Sequence, residues 1–421
     1  MKQFLAAGLF SLAAVPAFAS GYQVALQGQK QIGMGHTGTA LAWDASSIFF
    51  NPGALSFVKK NNVIVGASFI DNTVAYRADG TSRYTAETES PISTPFAAYA
   101  SFKIGDKLAV GLGVTTPFGS SIKWADNWKN ASLLQSLSLR AICIQPTVSY
   151  KITDQIGIGA GFVYATGGVD LKKQIPVFTD GSGFGQAQLK GPASGYGFNV
   201  GLYLEPIKDQ LTVGITYRSQ VDMKVKGGDA TFNTSSAAVA SGTFPSGGTN
   251  FDATLPLPGS INLGIAYMGI KNLTIAADVN YVMWSAYKEL RFDYEKPVAG
   301  ALFSASKRNY KDANAYRLGL AYQLSEAYAE RGGIYYDQTP VQDGFLTAET
   351  PDADRVGYSV GVGINPIANL SIDASLLFIN GTERSQTQAQ LNAAGVTNAE
   401  VPVGTFKTKA LVPGLSFAYS F

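Results

Sequence analysis

Residues 356–364 read VGYSVGVGI, and this stretch shows most clearly what kind of fold the chain adopts. Every second residue is large and apolar, whereas the residues between them are Gly or Ser. Successive side chains of a β-strand point to opposite faces, so the alternation predicts a strand with one bulky apolar face and one small face. Similar alternation runs through 156–164, 211–218 and 316–324.

The composition indicates which environment such strands would suit. The 421 residues are 46% apolar but only 15% charged, whereas soluble domains carry about 25% charged residues. A soluble sandwich would place Lys and Glu on its outer face, but here the second face is mostly Gly, Ser, Thr and Ala. We therefore predict a transmembrane barrel, with the bulky face towards lipid and the small face towards the lumen.

The same composition argues against a bundle of membrane-spanning helices. Mean hydropathy is only +0.07, and a spanning helix needs about 20 predominantly apolar residues in a row. The longest uncharged stretches, 230–251 and 253–270, are interrupted by Pro, Gly, Ser, Thr or Asn. Because backbone polar groups in hydrocarbon need internal partners, only helices and closed barrels span a membrane.

We accordingly predict an all-β fold, a transmembrane antiparallel β-barrel of about fourteen strands. Short turns and longer loops alternate along the chain, as periplasmic turns and external loops do in bacterial barrels. The longer loops are predicted at 78–91, 117–137, 173–192, 228–256, 293–305, 339–353 and 385–403. The strands are predicted at 62–77, 92–103, 107–116, 138–151, 156–172, 193–205, 211–227, 257–269, 272–292, 306–324, 328–338, 354–365, 369–384 and 404–421.

Both ends of the sequence favour export to an outer membrane. Residues 1–19 begin with a basic Lys2, continue with an apolar stretch and end in Ala-Phe-Ala, which predicts a secretory signal peptide and a mature chain from Ser20. Residues 415–421 read LSFAYSF and end on Phe, which resembles the last strand of outer-membrane barrels. We expect the outer membrane of a Gram-negative bacterium.

Residues 20–60 precede the first predicted strand and do not alternate. They are too apolar for a solvated tail, because disordered segments contain few apolar residues. A barrel of fourteen strands is wide enough to need a plug if it is not an open pore. We therefore divide the chain into a signal peptide at 1–19, a luminal plug at 20–60 and a barrel at 61–421. A periplasmic extension is the alternative for 20–60.

The sequence lacks residues that several functional classes of protein need. A net charge of +2 argues against nucleic-acid binding. Cys143 is the only cysteine and His36 the only histidine, so a disulfide framework and a Cys-based zinc site are excluded. A serine hydrolase needs a Ser–His pair within hydrogen-bond reach, and His36 is more simply explained as a packed residue. We expect no enzymatic activity, no metal and no cofactor.

Three motifs near the N-terminus are shared with a known family. They are Ser20-Gly21-Tyr22-Gln23, GMGHTG at 33–38 and DASSIFFNPGAL at 44–55. Together they resemble the N-terminal hatch of the FadL/TodX family, outer-membrane transporters of long-chain fatty acids and hydrophobic compounds. Family members carry Asn-Pro-Ala in the hatch, where this chain has Asn51-Pro52-Gly53. Further matches follow along the barrel: TYRS at 216–219, LPLP at 255–258, WS at 284–285, YKDA at 310–313 and DQTP at 337–340.

The resemblance implies a transport route and a partner. Ligand would be captured by external loops, held in a pocket inside the barrel and released sideways into membrane lipid beside a kinked strand, with movement of the hatch as the gate. The expected ligand is a long-chain fatty acid. An uncharged hydrophobic compound, such as an aromatic hydrocarbon, is the alternative, and a porin or adhesin would be a different class. The family also suggests a monomer.

A fatty acid needs a cation for its carboxylate, and the resemblance places basic side chains on the inner wall. Lys311, in the YKDA match, is the first candidate. Arg317 is predicted to lie on the same strand with the same facing, and Lys172 and Lys173 lie near the family's other basic position. The competing interpretation for each is an ordinary charge paired with a neighbour such as Asp312.

Apolar residues in the predicted external loops are candidates for the first capture site. The spacing of Trp124 and Trp128 fits a short amphipathic helix, which would serve as a landing site or as an aromatic membrane anchor. The family builds its first groove from two loops that correspond to 173–192 and 228–256. In this chain those loops contribute Phe178, Phe184, Phe232 and Phe244.

Overall fold

The computed structural model describes residues 21–80, 82–176, 183–397 and 400–421. The predicted signal peptide therefore lies outside the described residues. Twenty-one strands form one sheet with antiparallel pairing throughout. They are β1 (Asn62–Ser68), β2 (Asp71–Ala78), β3 (Thr85–Glu87), β4 (Phe96–Ile104), β5 (Leu108–Lys123), β6 (Ser136–Thr153), β7 (Ile156–Pro176), β8 (Phe184–Ile207), β9 (Leu211–Arg218), β10 (Val221–Asn233), β11 (Thr249–Leu257), β12 (Ser260–Ile270), β13 (Leu273–Val282), β14 (Glu289–Val298), β15 (Ala301–Lys307), β16 (Ala313–Gln323), β17 (Tyr328–Asp337), β18 (Arg355–Ile367), β19 (Leu370–Gly381), β20 (Arg384–Gln386) and β21 (Gly404–Ser420).

The sheet closes on itself, because β1 pairs with both β4 and β21. Five crossings of the wall consist of two consecutive segments each, namely β1 with β2, β9 with β10, β11 with β12, β13 with β14, and β15 with β16. The short strands β3 and β20 add to the sheet beside β2 and β21. The result is a closed antiparallel barrel of fourteen strands, which confirms the predicted fold.

The two faces of the wall follow the predicted alternation. In β9, for example, Ile215 and Tyr217 are 40% and 37% exposed, whereas Thr212 and Thr216 point into the interior and are buried. In β18, Tyr358, Val360 and Val362 are likewise exposed. The large side chains therefore form an apolar outer band, as transmembrane barrels require.

The two ends of the barrel differ in their connections, and we call them the short-turn end and the long-loop end. Three predicted loops contain more strand than expected. β7 and β8 pair as far as Pro176 and Phe184, β10 and β11 enter the predicted loop 228–256, and β14 and β15 form a hairpin in 293–305. The prediction of strands ending near 172, 227 and 292 was wrong because backbone pairing continues through polar, Gly-containing sequence that lacks the alternation.

Several predicted strands are instead broken near the middle of the wall. The breaks fall at 219–220, 258–259, 283–288 and 308–312. At 258–259 the sequence is Pro-Gly, and Pro cannot donate to the sheet. At 283–288 a 3₁₀ turn, Trp284–Ala286, replaces extended chain. At the last two breaks the aromatic side chains of Trp284, Tyr287 and Tyr310 are buried.

The N-terminal segment, residues 21–58, lies within the ring of strands. It contains the helices α1 (Gln29–Ile32) and α2 (Ser47–Phe50) and the 3₁₀ helix Pro52–Phe57. Its contacts reach strands on all sides: Gln29 bonds to Ser375 of β19, Asn51 to β8, and Gly38 to Asp278 of β13. Two further helices, α3 (Ser236–Ala240) and α4 (Gln388–Ala394), belong to the long-loop end. Of the helices in the described residues, none is long and apolar enough to cross a membrane.

Candidate functional site

A cavity of about 570 Å³ lies between the N-terminal segment and the barrel wall, and we call it the wall cavity. Its inner lining includes Leu26, Tyr335 and Val412, which are buried in the interior. Its lining also includes Ile92, which is 61% exposed, and the outward-facing Ile142. Because the exposed Ile92 and the outward-facing Ile142 line the same cavity as these interior residues, we infer that the cavity passes through the wall.

The opening arises where β4 and β5 stop pairing. Their last paired residues are Ala97 and Thr115, and Pro117 follows two residues later. Proline has no N–H to donate, so the ladder with β4 cannot continue through it. The Thr116 hydroxyl bonds to both backbone groups of Phe96, and β5 bulges against β6 between Thr115 and Phe118. The β5 strand is therefore irregular at this point, and whether it is the kinked strand that the resemblance implied stays a prediction.

Residues 21–24 run along this bulged part of β5. The N–H of Val24 donates to the carbonyl of Pro117 at 2.8 Å, and the N–H of Gly119 donates to the carbonyl of Tyr22 at 3.1 Å. The Gly21 N–H donates to Asp352 Oδ2 at 3.0 Å. Residues 21–24 thus occupy the backbone edge that the break leaves unpaired, on the inner side of the opening.

A second, smaller cavity of about 70 Å³ lies beside the first and has an almost entirely apolar lining. The two share Tyr22, whose ring packs edge-on against Trp284 and Tyr287 with centroid distances of 4.8 and 5.6 Å. We call this the Arg308 cavity, because Arg308 is the cation buried in its lining. Other lining residues are Leu171, Met223, Leu257, Tyr287, Phe292 and Glu349.

The Arg308 guanidinium has unusually few partners for a buried cation. The residue is only 3% exposed, and its Nη2 lies 3.4 Å from Glu349 Oε1. Its Nε and Nη1 have no hydrogen-bond partner. Buried donors without partners are costly, and a guanidinium with unpaired donors in an apolar cavity suits an anionic ligand such as a carboxylate.

The basic residues predicted from the sequence lie elsewhere. Lys311 is half-buried in the break before β16, so it does not share a strand with Arg317 as expected. Arg317 is buried, and its Nε donates to Asn280 Oδ1 at 2.5 Å. Lys172 and Lys173 are half-buried in β7 near the long-loop end. None of the four lines either cavity; their role in binding stays a prediction.

The predicted capture residues fall into two groups. Residues 124–134 form turns rather than a helix, so that prediction was wrong. The indoles of Trp124 and Trp128 are buried and stacked at 4.0 Å, and Trp124 Nε1 donates to the carbonyl of Ala348. At the tips of the long hairpins, Phe232 and Phe244 stack at 5.1 Å, and Phe184 is 63% exposed. Phe178 lies outside the described residues.

The Asn51-Pro52-Gly53 turn fixes the N-terminal segment to the inner wall. The Asn51 amide donates to the carbonyls of Thr39 and Leu202 at 2.8 and 3.0 Å, and its oxygen accepts from the Gly53 N–H. A Cβ on Gly53 would lie 2.7 Å from the carbonyl of Gly201. Such an approach cannot be accommodated without backbone movement.

Ser359 and His36, the residue types that a serine hydrolase uses, each accept a hydrogen bond from a backbone N–H. Gly357–Gly361 has the Gly-x-Ser-x-Gly spacing, which the sequence analysis overlooked, but Ser359 lies within β18 and accepts from the Gly35 N–H. A nucleophile elbow needs a strand-to-helix turn. His36 is buried, and its Nε2 accepts from the Gln27 N–H at 3.4 Å. Within the described ranges, no cluster of three or more His, Cys, Asp or Glu could hold a metal.

Comparison with known proteins agrees with the barrel and its N-terminal segment. Residues 10–421 match the family described as outer membrane protein transport protein (OMPP1/FadL/TodX). A 47 kDa outer membrane protein of Pasteurella multocida is 27% identical over 91% of this chain and 92% of its own length. A long-chain fatty acid transport protein of Salmonella typhi is 24% identical over 87% and 88%.

Two solved structures show the same fold. A FadL homologue of Pseudomonas aeruginosa superposes with a TM-score of 0.84 at 21% identity, covering 96% of this chain and 100% of that one. The toluene transporter TodX of P. putida superposes with a TM-score of 0.70 at 14% identity, covering 96% and 99%. The chain therefore belongs to the OMPP1/FadL/TodX family of outer-membrane transport proteins.

Proposed function

We propose that this protein takes up long-chain fatty acids and releases them sideways into the outer membrane. The observation that carries the proposal is the pair of adjoining cavities. One is apolar with an under-coordinated, buried Arg308, and the other passes through the wall beside β5. A relative named as a long-chain fatty acid transport protein supports the same substrate class.

Capture would begin at the long-loop end, which faces the outside in bacterial barrels. The stacked Phe232 and Phe244 and the exposed Phe184 stand on neighbouring hairpins there. β8 and β10 pair as far as Gln186 and Asn233, which keeps these aromatic side chains together. An acyl chain in water gains about 0.8 kcal/mol for each CH₂ that such a surface covers.

The carboxylate would then bind Arg308, with the acyl chain in the adjoining apolar space. The Arg308 cavity is too small for a long chain at about 70 Å³, so most of the chain would lie in the wall cavity of about 570 Å³. The ring of Tyr22 stands between the two and would have to turn or move with its segment. Lys311, three residues further on, stays a second candidate for the carboxylate.

Release would follow the opening between β4 and β5. An apolar chain gains nothing from an aqueous channel, whereas a lateral path keeps it out of water throughout. Residues 21–24 cover the inner side of this opening through two backbone hydrogen bonds to β5. We propose that they are the gate, and that residues 28–58 stay in place as the plug.

Binding measurements with two ligands test this function. Oleate and its uncharged methyl ester should both bind the detergent-solubilised protein. Arg308→Ala should weaken oleate binding by about 10- to 100-fold, because a charged hydrogen-bonding partner is lost, and should leave the ester nearly unchanged. Lys311→Ala removes a nearby cation as a matched control and should weaken oleate binding by a few-fold at most. Equal losses for oleate and ester would contradict carboxylate recognition and favour transport of uncharged compounds.

A further inference from the structure

The loop between β17 and β18, residues 338–354, folds inward over the two cavities. Phe345, Leu346 and Ala348 are buried. Glu349 and Thr350 line both the wall cavity and the Arg308 cavity, and Asp352 lines the wall cavity. This loop therefore contacts the space that the proposed ligand would occupy, although sequence analysis indicated only a long external connection.

Glu349 already contacts the Arg308 guanidinium, which is the group that a ligand carboxylate would bind. A guanidinium presents two edges to a carboxylate, one formed by Nε with Nη2 and the other by Nη1 with Nη2. Glu349 Oε1 lies 3.4 Å from Nη2, the nitrogen common to both edges. Because Nη2 has one hydrogen on each edge, Glu349 can occupy only one edge, and a ligand carboxylate on the other edge would share the cation with Glu349. Two carboxylates that share one buried cation repel each other.

The same loop holds the gate at its other end. Thr350 exchanges a hydrogen bond with the Tyr310 hydroxyl at 2.8 Å. Asp352 Oδ2 accepts the Gly21 N–H at 3.0 Å and the Thr339 hydroxyl at 2.5 Å. Glu349, which competes for Arg308, and Asp352, which holds Gly21, are thus only three positions apart in the chain.

We propose, on the basis of the function proposed above, that loop 338–354 senses the ligand's head group. A carboxylate replaces Glu349 at Arg308, Glu349 turns away, and the shift of residues 349–352 releases Gly21 from Asp352. The gate at residues 21–24 then loosens beside the opening. Only acidic ligands trigger this release, so Glu349 determines specificity for amphiphiles with a carboxylate over uncharged hydrophobic compounds.

The affinity test uses Glu349→Gln, which removes the competing charge and keeps the side chain's size. Oleate should bind this variant about tenfold more tightly than wild type, because no carboxylate has to be displaced, and methyl oleate should bind both equally. The control is Glu383→Gln, which alters an exposed ion pair with Arg77 and should change neither. Unchanged or weaker oleate binding would overturn the proposal. If the wild type bound no oleate, the proposed function itself would fail.

The coupling test follows the gate directly. In a Cys143→Ser background, Val24→Cys places a single thiol beside β5. Oleate should speed its labelling severalfold and methyl oleate should not, and adding Asp352→Ala, which removes the acceptor of the Gly21 N–H, should make labelling fast without ligand. Equal labelling with both ligands, or slow labelling after Asp352→Ala, would refute the coupling. If Glu349→Gln fails to fold, Glu349→Asp, whose shorter side chain withdraws the carboxylate, should also tighten oleate binding.

Discussion

The N-terminal segment has two parts that are held in very different ways. Residues 28–58 make buried polar contacts with the wall around much of the ring: Asp278 accepts from the N–H groups of Gly38 and Thr39 at 2.9 and 3.0 Å and from the Thr39 hydroxyl at 2.8 Å. Lys30 adds ion pairs to Asp44 and to Asp373 of β19.

Residues 21–24 have fewer attachments, although they lie at the functional opening. They are held by two backbone hydrogen bonds to β5, the Gly21–Asp352 bond, the Tyr22 hydroxyl bond to the carbonyl of Pro256, and the packing of the Tyr22 ring. Segments with few contacts open at lower free energy than the rest of a fold. On this comparison we propose that the segment consists of a fixed plug joined to a short movable gate.

The largest effect is expected for Asp278→Ala, which removes the carboxylate that accepts three hydrogen bonds from Gly38 and Thr39. Leaving these buried donors without partners should cost about 3 to 5 kcal/mol in the free energy of unfolding. A urea titration in detergent measures it. Asp252→Ala, at an exposed ion pair with Lys226, should cost less than about 1 kcal/mol. Similar losses for the two variants would show that the plug is not firmly held.

Gly53→Ala should have an intermediate effect of about 1 to 3 kcal/mol, because the new Cβ would press on the carbonyls of Gly201 and Gly157. Its matched control is Gly332→Ala in β17, where a Cβ would meet nothing within 4 Å. Thermal unfolding of the two variants provides the comparison. Full stability of Gly53→Ala would mean that the turn adjusts, as it must in family members that carry alanine.

The smallest stability effect is expected in the gate. Val24→Pro removes the N–H that donates to Pro117 and should cost only about 0.5 to 1.5 kcal/mol, yet it should speed proteolysis of residues 21–27. Val24→Ala keeps the N–H and should leave the cleavage rate near that of the wild type. Equal cleavage rates in Val24→Pro and Val24→Ala would contradict a hydrogen-bonded gate.

The sequence predicted the barrel well because a period of two is a direct consequence of strand geometry. Residues 356–364 and 211–218 show it without interruption, and the structure places their bulky residues outside. Strand breaks were harder to predict: 283–288 reads MWSAYK, and nothing in those letters prevents an extended chain. The hairpins that continue beyond the predicted strand ends depend on pairing between strands. The sequence of one strand alone does not show this pairing.

The site was harder to predict than the fold for a related reason. Lys311 and Arg308 lie three residues apart, and either could serve as a cation in an apolar pocket. Which one reaches the pocket depends on how the chain turns in the break before β16, and this turn follows from packing against Tyr287 and the inward loop. Resemblance therefore pointed to this segment, and the geometry adds Arg308 as the candidate that we propose.

The account's central claim is that a fatty acid binds Arg308 by its carboxylate and extends into the wall cavity. A crystal structure with a fatty acid brominated at its chain end tests this most directly, because anomalous scattering locates the bromine. We predict the carboxylate within hydrogen-bond distance of Arg308 Nε or Nη1, and the bromine beside Ile92 and Pro117. A bromine within the plug, or a carboxylate bound away from Arg308, would contradict the claim.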